Sequence, residues 1–534
     1  MISFFAPPGN EGHSFTLSQD TWKDLELGIL ASQLKTIPLP SSLIRIYLET
    51  LETDSEVILW KQNNLKFLLD SPEILKSLGK MTQDWIYLKE SVTSSSLPPL
   101  KKVLRRLGEL ETWVKVVRGL LKIFESNKAE CVGAWKEVKK LAELTSQGKD
   151  FIQLAEVLPT LRSGIQGIQG VSIGINLNHA LEPVGAVLLT IESERFQGKR
   201  SGVLGRLFQN SDQPLGDLHH PPYKNLQVAN QTIIQDPEEF GYAVNPKSLP
   251  LFRDLEEILK KTAMEMDKTL SKFSHLEIER WRNMAQEITL LVGSASLLQS
   301  WKEKGLPLVF PSIIPQEENK TQVDGMYHLP LWLKCPHGSE VVPQNMDWGD
   351  EGRVHVITGP NSGGKTIYLQ NLGWAQFFAQ LGWPLPAEKA WVSPAKSIGT
   401  HFQKEEETGR SAGSFGEEVA RLKHIFTELK PGGVVLMNES LSGTNAMESY
   451  AIACDLMKAF RVKGARVGFT THLHELAREV DELNQETPGP SKIASLVAQP
   501  GSFKVVFGPP SGRSQAREIA ALHGLSFEQL CERP

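Results

Sequence analysis

Cysteine is scarce in this chain: Cys131, Cys335, Cys454 and Cys531 are the four among 534 residues, far apart and never spaced as Cys-x-x-Cys. That spacing argues against a disulfide framework and a cysteine-built zinc site, and reads as four reduced thiols. No window approaches 18 uninterrupted apolar residues, so no membrane span is expected. The opening residues, MISFFAPPGNEGH, hold neither a basic stretch nor a long apolar run. No signal peptide is therefore expected, and the cytoplasm is the expected compartment. An excess of basic charge is missing too: 57 Lys and Arg stand against 62 Asp and Glu, for a formal net charge of −5. Any basic surface for a polyanion must then be local. What is present is a composition of 40% hydrophobic and 22% charged residues, that of a globular protein of several domains.

Patterning along the chain predicts an α+β multidomain protein. Residues 1–154 read as a helical core and lever, with Leu104, Leu107, Leu110, Val114, Val117 and Leu121 on one stripe. Residues 155–240 read as a small β-containing, clamp-like insertion, with strands at SIGINLN (172–178) and AVLLTIES (186–193). The Gly- and Pro-rich stretch after them carries Arg195, Lys199, Arg200 and Arg206. It is the best local basic patch, readable as a solvated loop or as a contact for a nucleic-acid backbone. Residues 241–325 read as a long lever helix and linker, in which Leu255, Leu259, Ala263, Met266, Leu270 and Phe273 form a heptad-like seam. From 326 to 510, short aliphatic strands alternate with helices, as in an α/β domain with a largely parallel sheet. Residues 511–534 read as a short helical tail.

Three motifs in the α/β region carry chemistry. Gly359-Pro360-Asn361-Ser362-Gly363-Gly364-Lys365-Thr366 fits G-x-x-x-x-G-K-[ST], between the strand-like VHVIT and a helical stretch. That context makes it a phosphate-binding loop for a nucleoside triphosphate, most simply ATP with Mg²⁺. Its backbone N–H groups and helix N-terminus favour phosphate; Lys365 would pair with the β- and γ-phosphates and Thr366 would hold the metal. VVLMNES (434–440) places Asn438 and Glu439 at a strand end, where open parallel sheets bind ligands. Glu439 is the candidate general base. Asn438 stands where such proteins normally carry Asp; it can still accept from a metal-bound water but adds no negative charge. VGFTTHLHEL (467–476) ends a strand at Thr470, Thr471 and His472, placing His472 to sense the γ-phosphate.

These motifs, with ITGPNSGGKT (357–366), AQLGWPLPAEKAWVSP (379–394), TGRSAGSFGEEVARL (408–422) and VVLMNESLSGTN (434–445), resemble the ATPase domain of the MutS family. The resemblance implies an ABC-type P-loop ATPase that works as a homodimer through its ATPase domains, with two composite nucleotide sites. The family's S-x-F-x-x-E segment, which reaches the opposite subunit's γ-phosphate, falls on 413–418. Phe415 and Glu418 match it; the serine position is Gly413, so Ser411 or Ser414 would stand in. Val341 occupies a position near the adenine that is often aromatic in the family. Lever-like helices begin almost at the first residue and the chain stops at 534, so a form without the wedge-bearing mismatch-recognition domain or a C-terminal Smr domain is expected. The function this implies is an ATP-driven clamp on duplex or branched DNA. An ATP-gated scaffold acting on a protein partner stays open beside it.

Overall fold

The computed structural model describes residues 2–90, 99–127, 129–166, 170–181, 183–192, 264, 266–273, 278–335, 340–360, 363–403, 413–510, 523 and 531. The basic residues Arg195, Lys199, Arg200 and Arg206 lie outside them, as do Leu255, Leu259 and Ala263 of the heptad-like seam. The chain is mixed α+β and forms two compact units, one of residues 1–86, 120–141 and 280–534, the other of 87–119 and 142–279. In the first unit, N-terminal segments are bonded into the α/β region. Gln370 Nε2 donates to Asp24 O (2.9 Å) and Gln380 Nε2 to Glu52 O (2.7 Å). The indole of Trp383 donates to Tyr47 Oη at 2.9 Å. Strands β1 (Ser14–Thr16) and β2 (Thr50–Glu52) pair antiparallel in this same unit.

The smaller unit is built on helical packing. In the helix Pro99–Ser126, Leu107, Leu110, Val114 and Val117 of the expected stripe are buried. Trp113 meets Phe151 of the helix Lys149–Gln166 edge-on at 5.2 Å between centroids. Arg162 reaches Glu111 at 2.8 Å. The strands expected at 172–178 and 186–193 are β3 (Gly170–Leu177) and β4 (Pro183–Glu192), an antiparallel pair with two register shifts. Met266, Leu270 and Phe273 are buried.

Two sheets organise the larger unit. The smaller, in spatial order β5 (Ser312–Ile313), β9 (Lys389–Val392), β6 (Thr321–Met326), β7 (Gln344–Trp348), is mixed. The larger runs β10 (Ile398–Phe402), β11 (Val434–Asn438), β12 (Arg466–Thr470), β8 (Val354–Thr358), β13 (Ile493–Ala498), β14 (Val505–Phe507). Its first five strands are parallel and β14 is antiparallel. β8 and β12 are buried at every position, as central strands of a doubly covered parallel sheet should be. β8 feeds the helix Lys365–Leu381, which is almost wholly buried and stops at Gly382, where φ is +81°. β11 feeds the helix Ala446–Lys463, started by the Asn445 side chain accepting from Glu448 N at 3.0 Å. Because β8, β12 and β11 are adjacent and parallel, their carboxyl ends lie side by side.

Arg466, the first residue of β12, is fully buried and binds the two sheets together. Its guanidinium donates to Thr321 Oγ1 (2.7 Å) and Ser393 O (2.8 Å) beside the small sheet, and to Gly432 O (3.0 Å) ahead of β11. Burial, with Arg353 nearby, pulls its pKa down to about 9. Replacing it leaves buried acceptors without a donor. Arg466→Met is expected to cost about 3 kcal/mol of stability, read from urea unfolding; an unchanged midpoint would show that the bonds are redundant.

Candidate functional site

The phosphate loop is shaped by two glycines in the left-handed region. Gly359 has φ +131° and Gly364 φ +89°. A Cβ on Gly359 would come within 2.9 Å of Ala498, and one on Gly364 within 2.8 Å of Phe503 O. Only glycine fits both the torsion and the space. Asn361 and Ser362 lie outside the described residues, while Gly363 closes the turn by donating its N–H to Pro360 O at 3.2 Å. Lys365 opens the helix and folds back over the loop, donating to Gly359 O (2.8 Å) and Pro360 O (3.2 Å). Burial holds its ammonium below its ordinary pKa, with the Glu439 charge acting in the opposite direction. The outer side of the loop is fixed from far away in sequence. Gln344 Nε2 donates to Phe503 O and Gln344 Oε1 accepts from Val505 N (3.3 Å).

The neighbouring strand ends complete the site. Asn438 Oδ1 accepts from Thr366 Oγ1 at 3.3 Å and from Thr470 Oγ1 at 2.7 Å. One amide oxygen therefore ties the ends of β11 and β12 to the start of the phosphate-loop helix. Beyond it, Glu439 (φ +53°) and Leu441 (φ +69°) both take left-handed torsions, at a cost of about 1 kcal/mol or more each for non-glycine residues. Such strain persists only where several contacts enforce it. Glu439 N donates to Thr470 O (3.0 Å) and Oγ1 (3.2 Å). Buried Ser440 bonds His401, with its Oγ 2.6 Å from Nδ1, and Ser449 Oγ donates to Leu441 O at 2.5 Å. The Glu439 carboxylate ends 3.4 Å from His472 Nε2, and both side chains are partly exposed. His474, two residues on, is turned inward, where burial lowers its pKa.

The donor set fits a magnesium nucleotide. Glycine-shaped backbone, a lysine at the loop and hard oxygens from Thr366, Asn438 and Glu439 converge at one sheet edge. The structure thus brings together Gly359, Pro360, Gly363, Gly364, Lys365, Thr366, Asn438, Glu439 and His472. Ser411 lies outside the described residues, as does the Ser414 side chain, although Ser414 falls in the helix Gly413–Glu428. Val341 is buried. Sequence reading missed the Gln344–Phe503 clamp and the His401–Ser440 pair. Neither has a local motif, since the partners are separated by 159 and 39 residues.

Residues 355–500 match the family model of MutS domain V. The chain is 27% identical to Endonuclease MutS2 of Carboxydothermus hydrogenoformans, over 94% of this chain and 60% of that protein. It is 26% identical to Endonuclease MutS2 of Listeria innocua over 56% of this chain and 38% of that protein. With Endonuclease MutS2 of Lacticaseibacillus casei the identity is 31% over 36% of this chain and 24% of that protein. The chain therefore spans about 60% of the length of the first of these relatives. Among the described residues no helix is long and apolar enough to cross a membrane.

Thr470 is the hinge of the polar net, donating to Asn438 and accepting from Glu439 N. Thr470→Val is expected to destabilise the protein by about 1 kcal/mol. The measurement is chemical denaturation, and an unaltered stability would mean that Asn438 is held by Thr366 alone.

Proposed function

We propose that this chain, similar over residues 355–500 to MutS domain V, is a MutS-family ATP hydrolase whose ATPase domains dimerise on ATP and clamp or sense duplex or branched DNA in repair or recombination. The observation that carries the hydrolase reading is the meeting of Lys365, Thr366, Asn438, Glu439 and His472 at the carboxyl ends of three adjacent parallel strands. Gly359 to Thr366, with Asn361 and Ser362 in the middle, would cradle the phosphates through backbone N–H groups. Lys365 would leave its two loop carbonyls for phosphate oxygens, gaining charged partners for a group whose burial disfavours its charge. Thr366 and Asn438 would hold Mg²⁺, which when bound neutralises charge building on the phosphates. Glu439 would take a proton from the attacking water as that oxygen bonds to the γ-phosphorus and the bond to the leaving diphosphate breaks. His472, beside Glu439, would orient that carboxylate and donate toward the γ-phosphate. With Asn438 in place of an aspartate, the metal gains an oxygen but no formal charge from this position, so slow turnover is expected.

Ser411 or Ser414 would face the second subunit's γ-phosphate, completing each site in trans. Arg195, Lys199, Arg200 and Arg206 would give the DNA contact a local basic patch in a cytoplasmic chain whose overall charge is −5. One second reading is an ATP-gated dimeric scaffold acting on a protein partner. The two separate in one experiment: ATP turnover measured at low salt without DNA and with duplex, forked or four-way DNA. Stimulation by DNA is expected, and nucleotide-dependent dimerisation with no DNA response would favour the scaffold. Glu439→Gln should keep ATP affinity while lowering kcat about 100-fold or more, whereas Lys365→Ala should abolish ATP binding. Normal turnover in the Glu439 variant would place the base elsewhere.

A further inference from the structure

The turn after β11 is held by a carboxylate of its own chain. Glu418, on the helix Gly413–Glu428, accepts the Leu441 N–H on Oε1 at 2.7 Å. Its Oε2 lies 3.3 Å from the place a Cβ on Gly443 would take, and the Phe415 ring lies 3.5 Å from it. The same helix surface thus covers both Leu441 and Gly443. Leu441 is the second of two left-handed residues, and its N–H is bonded to this carboxylate. A hydrogen bond from a backbone N–H to an ionised acceptor is stronger than one between neutral groups. Its loss would free the Leu441 torsion, and Glu439 sits two residues away on the same strained turn.

The helix that carries Glu418 is itself anchored. Arg421 meets Asp20 at 3.2 Å and Asp24 at 3.3 Å, and Asp24 also accepts from Thr400 Oγ1 at 2.7 Å. The helix Gln19–Asp24 thus holds Arg421, which lies three residues along the same helix from Glu418, and Glu418 in turn holds the Leu441 backbone.

We propose that Glu418 is a positioning residue that acts in cis, fixing the Glu439 carboxylate for water activation through the Leu441 N–H. The inference rests on the hydrolase reading above, and it assigns Glu418 a task on its own subunit's turn. What the turn needs is an acceptor of this length at this place; Gln supplies one and Ala does not.

The test compares Glu418→Ala and Glu418→Gln in the full chain by three readouts: kcat for ATP, Kd for a fluorescent ATP analogue, and hydrogen exchange of the Leu441 amide. Glu418→Ala is expected to lower kcat about tenfold or more, as small misplacements of reacting groups do, with Kd within about twofold. Leu441 exchange should accelerate in the same variant, and Glu418→Gln should restore both exchange and most of kcat. Unchanged Leu441 exchange in Glu418→Ala, or a Gln variant as impaired as the Ala variant, would overturn the proposal. A loss of affinity with kcat intact would also overturn it, since Glu418 would then serve binding. A wild-type chain with no ATP turnover at all would instead bring down the hydrolase reading, and the inference with it.

Discussion

A buried guanidinium without a carboxylate among its hydrogen-bond partners is an expensive thing to fold around, and among the described residues Arg466 has none. Removing that charge from water is tolerable only if carbonyl and hydroxyl oxygens replace the lost hydration at good geometry. Those oxygens come from segments ahead of β11, beside β9 and at the start of β6. Satisfying one cation therefore fixes where the small sheet stands against the large one. It also fixes the start of β12, the strand between the phosphate-loop strand and the strand ending in Asn438.

Once β12 is placed, the site follows from parallel pairing. Asn438 pairs with Thr470 and Thr470 with Ile357, so three strand ends arrive level. Level ends let Asn438 Oδ1 collect hydroxyls from two other elements. Asn keeps the acceptor that the junction needs and omits the charge that an aspartate would bring. Architecture and electrostatics are separable at this position: a neutral side chain accepts both hydroxyls on Oδ1. The left-handed turn beyond it is the opposite case, a conformation that neither Glu439 nor Leu441 prefers, maintained by bonds from Thr470, Ser440, Ser449 and Glu418.

Much of the site could be read along the chain. Gly359 and Gly364 announce backbone torsions and close approaches that other residues resist, and VHVIT and VVLMN are apolar runs of strand length. The strands β3 and β4 were legible from their β-branched and aliphatic composition, though not their pairing. The attachment of the N-terminal helices to the α/β region was not, because its contacts join residues hundreds of positions apart, as Thr400 with Asp24 and Gln380 with Glu52 do. Glu418 shows the limit most plainly. Its residue type and spacing match a segment thought to reach across a dimer, yet its carboxylate binds the backbone of its own chain.

By itself, then, the sequence determined the phosphate loop, the strands on either side of the chemistry and the identity of the groups that could perform it. These are properties of short segments, set by torsional preference and by local alternation of apolar and polar residues. Tertiary structure decided which oxygen faces which hydrogen: that Asn438 gathers Thr366 and Thr470, that Glu439 lies beside His472, and that Glu418 holds Leu441. Hydrogen bonds are selective within a few tenths of an ångström, and alignment that fine exists only after strand register, helix anchoring and the buried Arg466 have all been satisfied together.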